Sequence, residues 1–96
     1  MKKYKVLVIP NDPLSMYIEK GTLEYFIDRY RYYADNLGDV IIYNLDPKKV
    51  NYNYPNIKIL NFKKPKAQFF EIFKRIHDVS RLCKEYKIDF IRSMEG

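Results

Sequence analysis

The spacing of apolar residues changes several times along this chain, and each change marks an expected element. Val6-Leu7-Val8-Ile9 is an unbroken apolar run inside the segment from Tyr4 to Ile9, as in a strand covered on both faces. Pro10 closes it, having no N–H to give to a ladder. Asn11-Asp12-Pro13 opens a loop, with Leu14 and Ser15 behind it. Leu23, Phe26, Ile27, Tyr30, Tyr33 and Leu37 then recur at three- and four-residue steps, which places them on one face of a helix. Gly21 and Thr22 mark its start, with Thr22 as N-cap, and Asn36 and Gly38 mark its stop. The aromatic stretch Tyr30 to Tyr33 predicts an irregular last turn.

The β-branched stretch Val40 to Asn44 predicts a second strand. The polar loop from Asp46 to Asn56 holds Pro47 and Pro55 and is no long helix. Ile57 to Phe62 reads as a third strand, with Ile57, Ile59 and Asn61 on one face and Lys58, Leu60 and Phe62 on the other. That mixture suits a position near a sheet edge. Beyond the basic turn Lys63-Lys64-Pro65-Lys66, the longest helix runs from about Ala67 to Tyr86. Its apolar stripe is Phe69, Ile72, Phe73, Ile76, Val79, Cys83 and Tyr86, the kind of face a helix turns to a core. Asp78 and Arg81 are spaced to pair. Ile88 to Ile91 predicts a fourth strand.

The order β-α-β-β-α-β, with helices between apolar strands, argues for an α/β fold with a Rossmann-like parallel sheet. Right-handed crossovers give strand order 3-2-1-4 with the helices on opposite faces. A chain of 96 residues bounds this to one domain, residues 1–96, and the expectation is a partial, doubly wound one. In a complete domain the fourth strand would be interior. Here its far side would offer unpaired backbone groups, so self-association through strand 4 is expected.

Composition narrows the class further. Cys83 is the single cysteine, which excludes an internal disulfide and suggests a reducing compartment. His77 and Cys83 are not spaced as metal ligands, and no metal site is expected. No apolar run reaches the length of a membrane span or of a secretory signal, so a cytoplasmic location is expected. The formal charge of +6 is uneven. Residues 1–55 hold eight Lys/Arg against seven Asp/Glu, and residues 56–96 hold ten against five. A basic half attracts phosphate, anionic lipid or nucleic acid, but a solvated lysine face explains it as well, and nucleic acid is disfavoured as a partner.

In sheets of this order ligands collect at the carboxyl ends of the strands, where the order reverses. That crevice lies between strands 1 and 4. The residues converging on it are Asn11, Asp12 and Ser15 from the first loop and Arg92, Ser93 and Glu95 from the last segment. Small polar and charged groups of this kind suit hydroxyl-rich ligands or phosphate. A turn and a frayed end would account for them equally. The first loop has no Gly-x-Gly-x-x-Gly, which disfavours a nicotinamide cofactor, and no phosphate-cradling Gly-Lys-Ser/Thr. No nucleophile elbow is present. No cofactor is expected, and no catalytic residue can be assigned.

Four segments carry a resemblance. They are Lys5-Val6-Leu7-Val8-Ile9-Pro10-Asn11-Asp12-Pro13 with Glu19-Lys20-Gly21, Asn36-Leu37-Gly38-Asp39-Val40, and Lys87-Ile88-Asp89-Phe90-Ile91-Arg92-Ser93. Together they resemble the opening of retaining glycosyltransferases of the GT-B type, built from two Rossmann-like domains. The resemblance implies an N-terminal, acceptor-side part of such an enzyme, inactive alone. The full enzyme would move a sugar from a nucleotide-sugar donor to a sugar or other hydroxyl-bearing acceptor. Asp12 and Glu95 would orient acceptor hydroxyls, and Arg92 would neutralise phosphate or an acidic acceptor. Where the family often has a Gly-Gly pair and a histidine after the fourth strand, this chain has Asn11-Asp12 and Ser93-Met94-Glu95. The alternative is a stand-alone α/β binding module with a basic face for nucleic acid or an acidic partner.

Overall fold

A computed structural model describes residues 4–10, 12–36 and 38–93. The elements are β1 (Tyr4–Ile9), α1 (Leu14–Glu19), α2 (Leu23–Asn36), β2 (Gly38–Leu45), β3 (Ile57–Phe62), α3 (Gln68–Tyr86) and β4 (Phe90–Ser93). All four strands are parallel, in the order β3-β2-β1-β4. The fold is therefore the expected Rossmann-like α/β sheet. No helix among the described residues is long and apolar enough to cross a membrane.

Period-two alternation divides the sheet between two cores. Val8, Val40, Ile42 and Ile57 face α1 and α2, packing with Leu14, Phe26, Ile27, Tyr30 and Ala34. Leu7, Ile41, Tyr43 and Leu45 face α3, meeting Leu82 with Val79, Cys83 and Tyr86 around it. β2 is buried along most of its length. Its position between β1 and β3, under helices on both faces, explains the unbroken apolar sequence.

Gly38 opens β2 where β1 crowds it. A Cβ there would fall 1.9 Å from the Tyr4 carbonyl oxygen, so only glycine lets the strands register. Asn56 enters β3 in the left-handed region at φ 66°. Its amide donates to the Ala34 carbonyl at 3.2 Å. Asparagine tolerates that backbone state better than most residues.

Five local expectations need correction. Leu14 to Glu19 is a helix rather than an extension of the first loop. The aromatic stretch Tyr30 to Tyr33 is regular helix, and α2 continues to Asn36. The fourth strand starts at Phe90, two residues later than Ile88. Lys87 ends α3 in the left-handed region, and Ile88 is spent on the α3-side core. Asp78 pairs with Lys74 at 3.2 Å, while Arg81 turns to Glu85 at 3.9 Å. Thr22 does precede α2, and its carbonyl accepts the Phe26 N–H, but its hydroxyl points back to the Tyr17 carbonyl at 3.4 Å. Leu37 lies outside the described residues.

The largest departure is in α3. Its predicted stripe divides along the helix. Val79, Cys83 and Tyr86 lie against the sheet, but Phe69, Ile72, Phe73 and Ile76 stand in solvent. Under that N-terminal half the inward positions are polar. Asp78 is buried, and Glu71 is paired with Lys64 at 3.9 Å and Arg75 at 3.4 Å.

Candidate functional site

The carboxyl edge of the sheet is built around three polar side chains at the ends of β2 and β3. Asn44 is fully buried, and its Oδ1 accepts the Leu14 N–H at 2.9 Å. Its Nδ2 donates to Asn61 Oδ1 at 2.8 Å. Asn61 closes on the loop, accepting the Val50 N–H at 3.0 Å and donating to the Val50 carbonyl at 3.0 Å. Two residues beyond Asn44, the Asp46 carboxylate accepts the Ser15 N–H, the Ser15 hydroxyl and the Lys48 N–H, each at 2.9 Å.

This arrangement caps α1 from a distance. A helix start leaves N–H groups without intrahelical partners, and negative charge there is favoured. Pro13 precedes α1 and no local side chain caps it. Asn44 and Asp46 take the free amides instead. Burial works to raise the Asp46 pKa, but the hydrogen bonds from Lys48, Ser15 and Asn44 outweigh it and hold the carboxyl below its ordinary value. The place where a nucleotide-binding loop would receive phosphate is therefore filled by the chain's own carboxylate.

Ser15 accordingly has a structural duty. Its hydroxyl proton is committed to Asp46, leaving only acceptor lone pairs for a ligand. Asp12 is exposed beyond the end of β1. Its charge helps raise the Tyr17 pKa, after burial as the first cause. Arg92 lies in β4 opposite Val8, the strand position that serves the α2-side core. Its guanidinium reaches Tyr30. Burial pushes the Tyr30 pKa up, and the hydrogen bond and positive charge of Arg92 oppose that rise. Ser93 ends β4 level with Ile9. Asn11 and Glu95 lie outside the described residues.

The sequence did not single out the cavity beside β4. It encloses about 300 Å³ and is lined by Tyr4, Val6, Tyr30, Tyr33, Phe90, Ile91 and Arg92. Tyr4 and Phe90 lie with ring centroids 5.6 Å apart, and Tyr30 and Tyr33 at 6.3 Å. Aromatic walls with one converging cation have the chemistry to suit a ligand with apolar faces and oxygen atoms. Helical spacing had already placed Tyr30 and Tyr33 on one face. Only the β1–β4 pairing brings Tyr4, Phe90 and Arg92 against them.

On the opposite face Tyr43 donates its hydroxyl proton to Asp78 Oδ2 at 2.8 Å, and Lys74 completes the group. Burial first, then the neighbouring Asp78 carboxylate, drives the Tyr43 pKa far above its ordinary value. The phenol stays protonated, and this trio anchors α3 to β2. Among the described residues no group of His, Cys, Asp and Glu is placed to hold a metal ion.

Compared with known proteins, the chain matches no family, no curated protein and no solved structure.

Proposed function

We propose that this chain forms the acceptor-holding part of a sugar-transferring enzyme built from two Rossmann-like domains. The observation that carries the reading is the aromatic cavity with Arg92 beside the reversal of strand order. Tyrosine and phenylalanine rings present apolar faces to a sugar's C–H groups, and Arg92 donates hydrogen bonds to its oxygens. Asp12, exposed at the end of β1, orients a hydroxyl at the mouth of the crevice. Asp46 fills the start of α1, which suits a unit that holds a hydroxyl-bearing acceptor rather than a nucleotide. In the full enzyme that hydroxyl attacks the anomeric carbon of a nucleotide-sugar held by the other domain; the bond from that carbon to the nucleotide's phosphate oxygen breaks, and the nucleotide leaves with the bonding pair and takes up the hydroxyl proton.

Two measurements test this. Incubated with nucleotide-sugars and candidate acceptors, residues 1–96 transfer no sugar. In titrations with a panel of mono- and disaccharides followed by amide NMR, shifts centre on Tyr30, Tyr33, Phe90 and Arg92. Arg92→Ala weakens that binding about tenfold, the loss of one charge-assisted hydrogen bond. Sugar transfer by the chain alone, or shifts that avoid β4 and α2, would refute the proposal.

Among the described residues β4 is an edge of the sheet, and that edge supports a proposal about the chain by itself. Asp89 N–H donates to the Lys5 carbonyl at 2.9 Å, so the alternate residues Phe90 and Arg92 direct their backbone groups outward. Two copies related by a two-fold axis normal to the sheet can pair these strands antiparallel. Phe90 then lies opposite Arg92 of the second copy, and Ile91 opposite its equivalent. Light scattering across a concentration series detects this as a rising mean mass; a constant monomer mass would exclude it.

A further inference from the structure

The N-terminal half of α3 is built with its polarity reversed. A helix on a sheet normally turns apolar residues inward and charges outward. Here Glu71, Arg75 and Asp78 turn inward: Glu71 meets Lys64 and Arg75, and Asp78 meets Lys74 and the Tyr43 hydroxyl. Outward stand Phe69, Ile72, Phe73 and Ile76, exposed by 69%, 64%, 58% and 64%. Phe69 and Phe73 are one turn apart with ring centroids at 5.3 Å, and Phe70 is edge-on to Phe69 at 5.6 Å. The result is a contiguous apolar ridge on the outside of the molecule, of the kind that marks an interaction surface.

The charge around that ridge selects its partner. The loop entering α3 carries Lys63, Lys64 and Lys66, with Lys63 and Lys66 exposed. Farther along the helix stand the exposed Lys84 and Arg81, the latter paired with the exposed Glu85 at 3.9 Å. The acidic residues of this half, Glu71 and Asp78, are the ones turned inward. What faces outward is thus aromatic and aliphatic, bordered by cations. A second copy on this face would bring like charges together. We propose that the outward face of α3 docks on an anionic lipid bilayer, with Phe69, Phe70, Phe73 and Ile76 entering the headgroup boundary and the exposed Lys63 and Lys66 meeting lipid phosphates. Amphipathic helices with aromatic residues on one side and lysines beside them lie in that interface. The inference is independent of the acceptor site, which lies on the other face of the sheet.

Vesicle sedimentation of the full chain tests it. With phosphatidylcholine vesicles containing phosphatidylglycerol, the bound fraction exceeds that with phosphatidylcholine alone by about tenfold, and added salt reduces it. Phe69→Ser with Phe73→Ser abolishes binding to both vesicle types while far-UV circular dichroism stays unchanged. Lys63→Gln with Lys66→Gln removes only the preference for the anionic vesicles. No sedimentation with either vesicle would overturn the proposal. So would binding that survives the double Phe→Ser change. An oligomer that the double change converts to monomer, without vesicle binding, would assign the ridge to a second copy. Binding to duplex DNA or RNA of equal strength that competes with vesicles would assign only the lysines, and would likewise overturn a lipid-specific face.

Discussion

The α2 side of the sheet and the β4–α3 side treat exposed surface in opposite ways. On the first, Phe26, Ile27, Tyr30 and Ala34 close over Val8, Val40 and Ile42. The 46–56 loop is fastened down as well. Arg31 reaches Glu24 at 2.7 Å and hydrogen-bonds the Tyr52 hydroxyl, while Tyr54 donates to the Asp35 carboxylate at 3.0 Å. On the second side, Phe90 and Ile91 are more than half exposed and α3 points three phenylalanines outward. A shallow apolar groove of about 540 Å³ runs between α3 and β4, lined by Ile9, Ile76, Val79, Cys83 and Ile91. The comparison separates stability from interaction. The α2-side core holds the fold, while the open side and the cavity between α2 and β4 present the surfaces that meet something else; Tyr25 and Tyr32 stand exposed on the outer face of α2.

Substitutions on the two sides should therefore differ sharply. The largest loss is expected for Ile27→Ala, which opens a cavity in the fully buried α2-side core. Chemical denaturation should show a loss of about 3 kcal/mol. Asn44→Ala comes next. It leaves the Leu14 N–H buried without its partner and should cost about 2 kcal/mol by the same assay.

Asp46→Ala removes the remote cap on α1, at a cost of about 1 kcal/mol near neutral pH. Its sign with pH follows from the lowered pKa. A carboxylate held below its ordinary value adds stability that is present above the unfolded-state pKa. That stability is lost as pH falls through the folded-state pKa. Denaturation midpoints of the parent chain should thus fall in acid, and the variant should show a shallower acid limb. Equal limbs would mean that the carboxylate contributes no charge-dependent stability. The smallest effect belongs to the open side. Phe73→Ser should change stability by less than about 0.5 kcal/mol, because its ring is already in water. A loss near that of Ile27→Ala would show the ridge to be covered.

How far the sequence anticipated this division depends on where each signal is local. β1 and β3 were legible to the residue, because an apolar run ending at a proline or a basic turn needs no distant information. The strand order followed from the alternation of elements and from crossover handedness. α1 was not legible, since its cap comes from Asp46, 31 residues away along the chain. The helical stripe of α3 was visible, but periodicity does not say which side of an amphipathic helix a particular sheet accepts. Tyr43 and the buried Asp78 decide that here. At the candidate site, strand pairing sets Arg92 opposite Val8, while Asp12 is exposed beyond the end of β1. Ser15 proved to be a structural partner of Asp46. Tyr4, Tyr30, Tyr33 and Phe90 were missed because three separate elements contribute them.

The division into a sealed and an open side is tested most directly by amide hydrogen exchange at two protein concentrations. At low concentration the Val40 to Leu45 amides should exchange slowest, through global unfolding, while the Phe90 and Arg92 amides exchange fastest among strand positions. At high concentration Phe90 and Arg92 should slow and the β2 amides should not change. Phe90 and Arg92 amides as protected as those of β2 at low concentration would show that the edge is already closed, and would contradict the account.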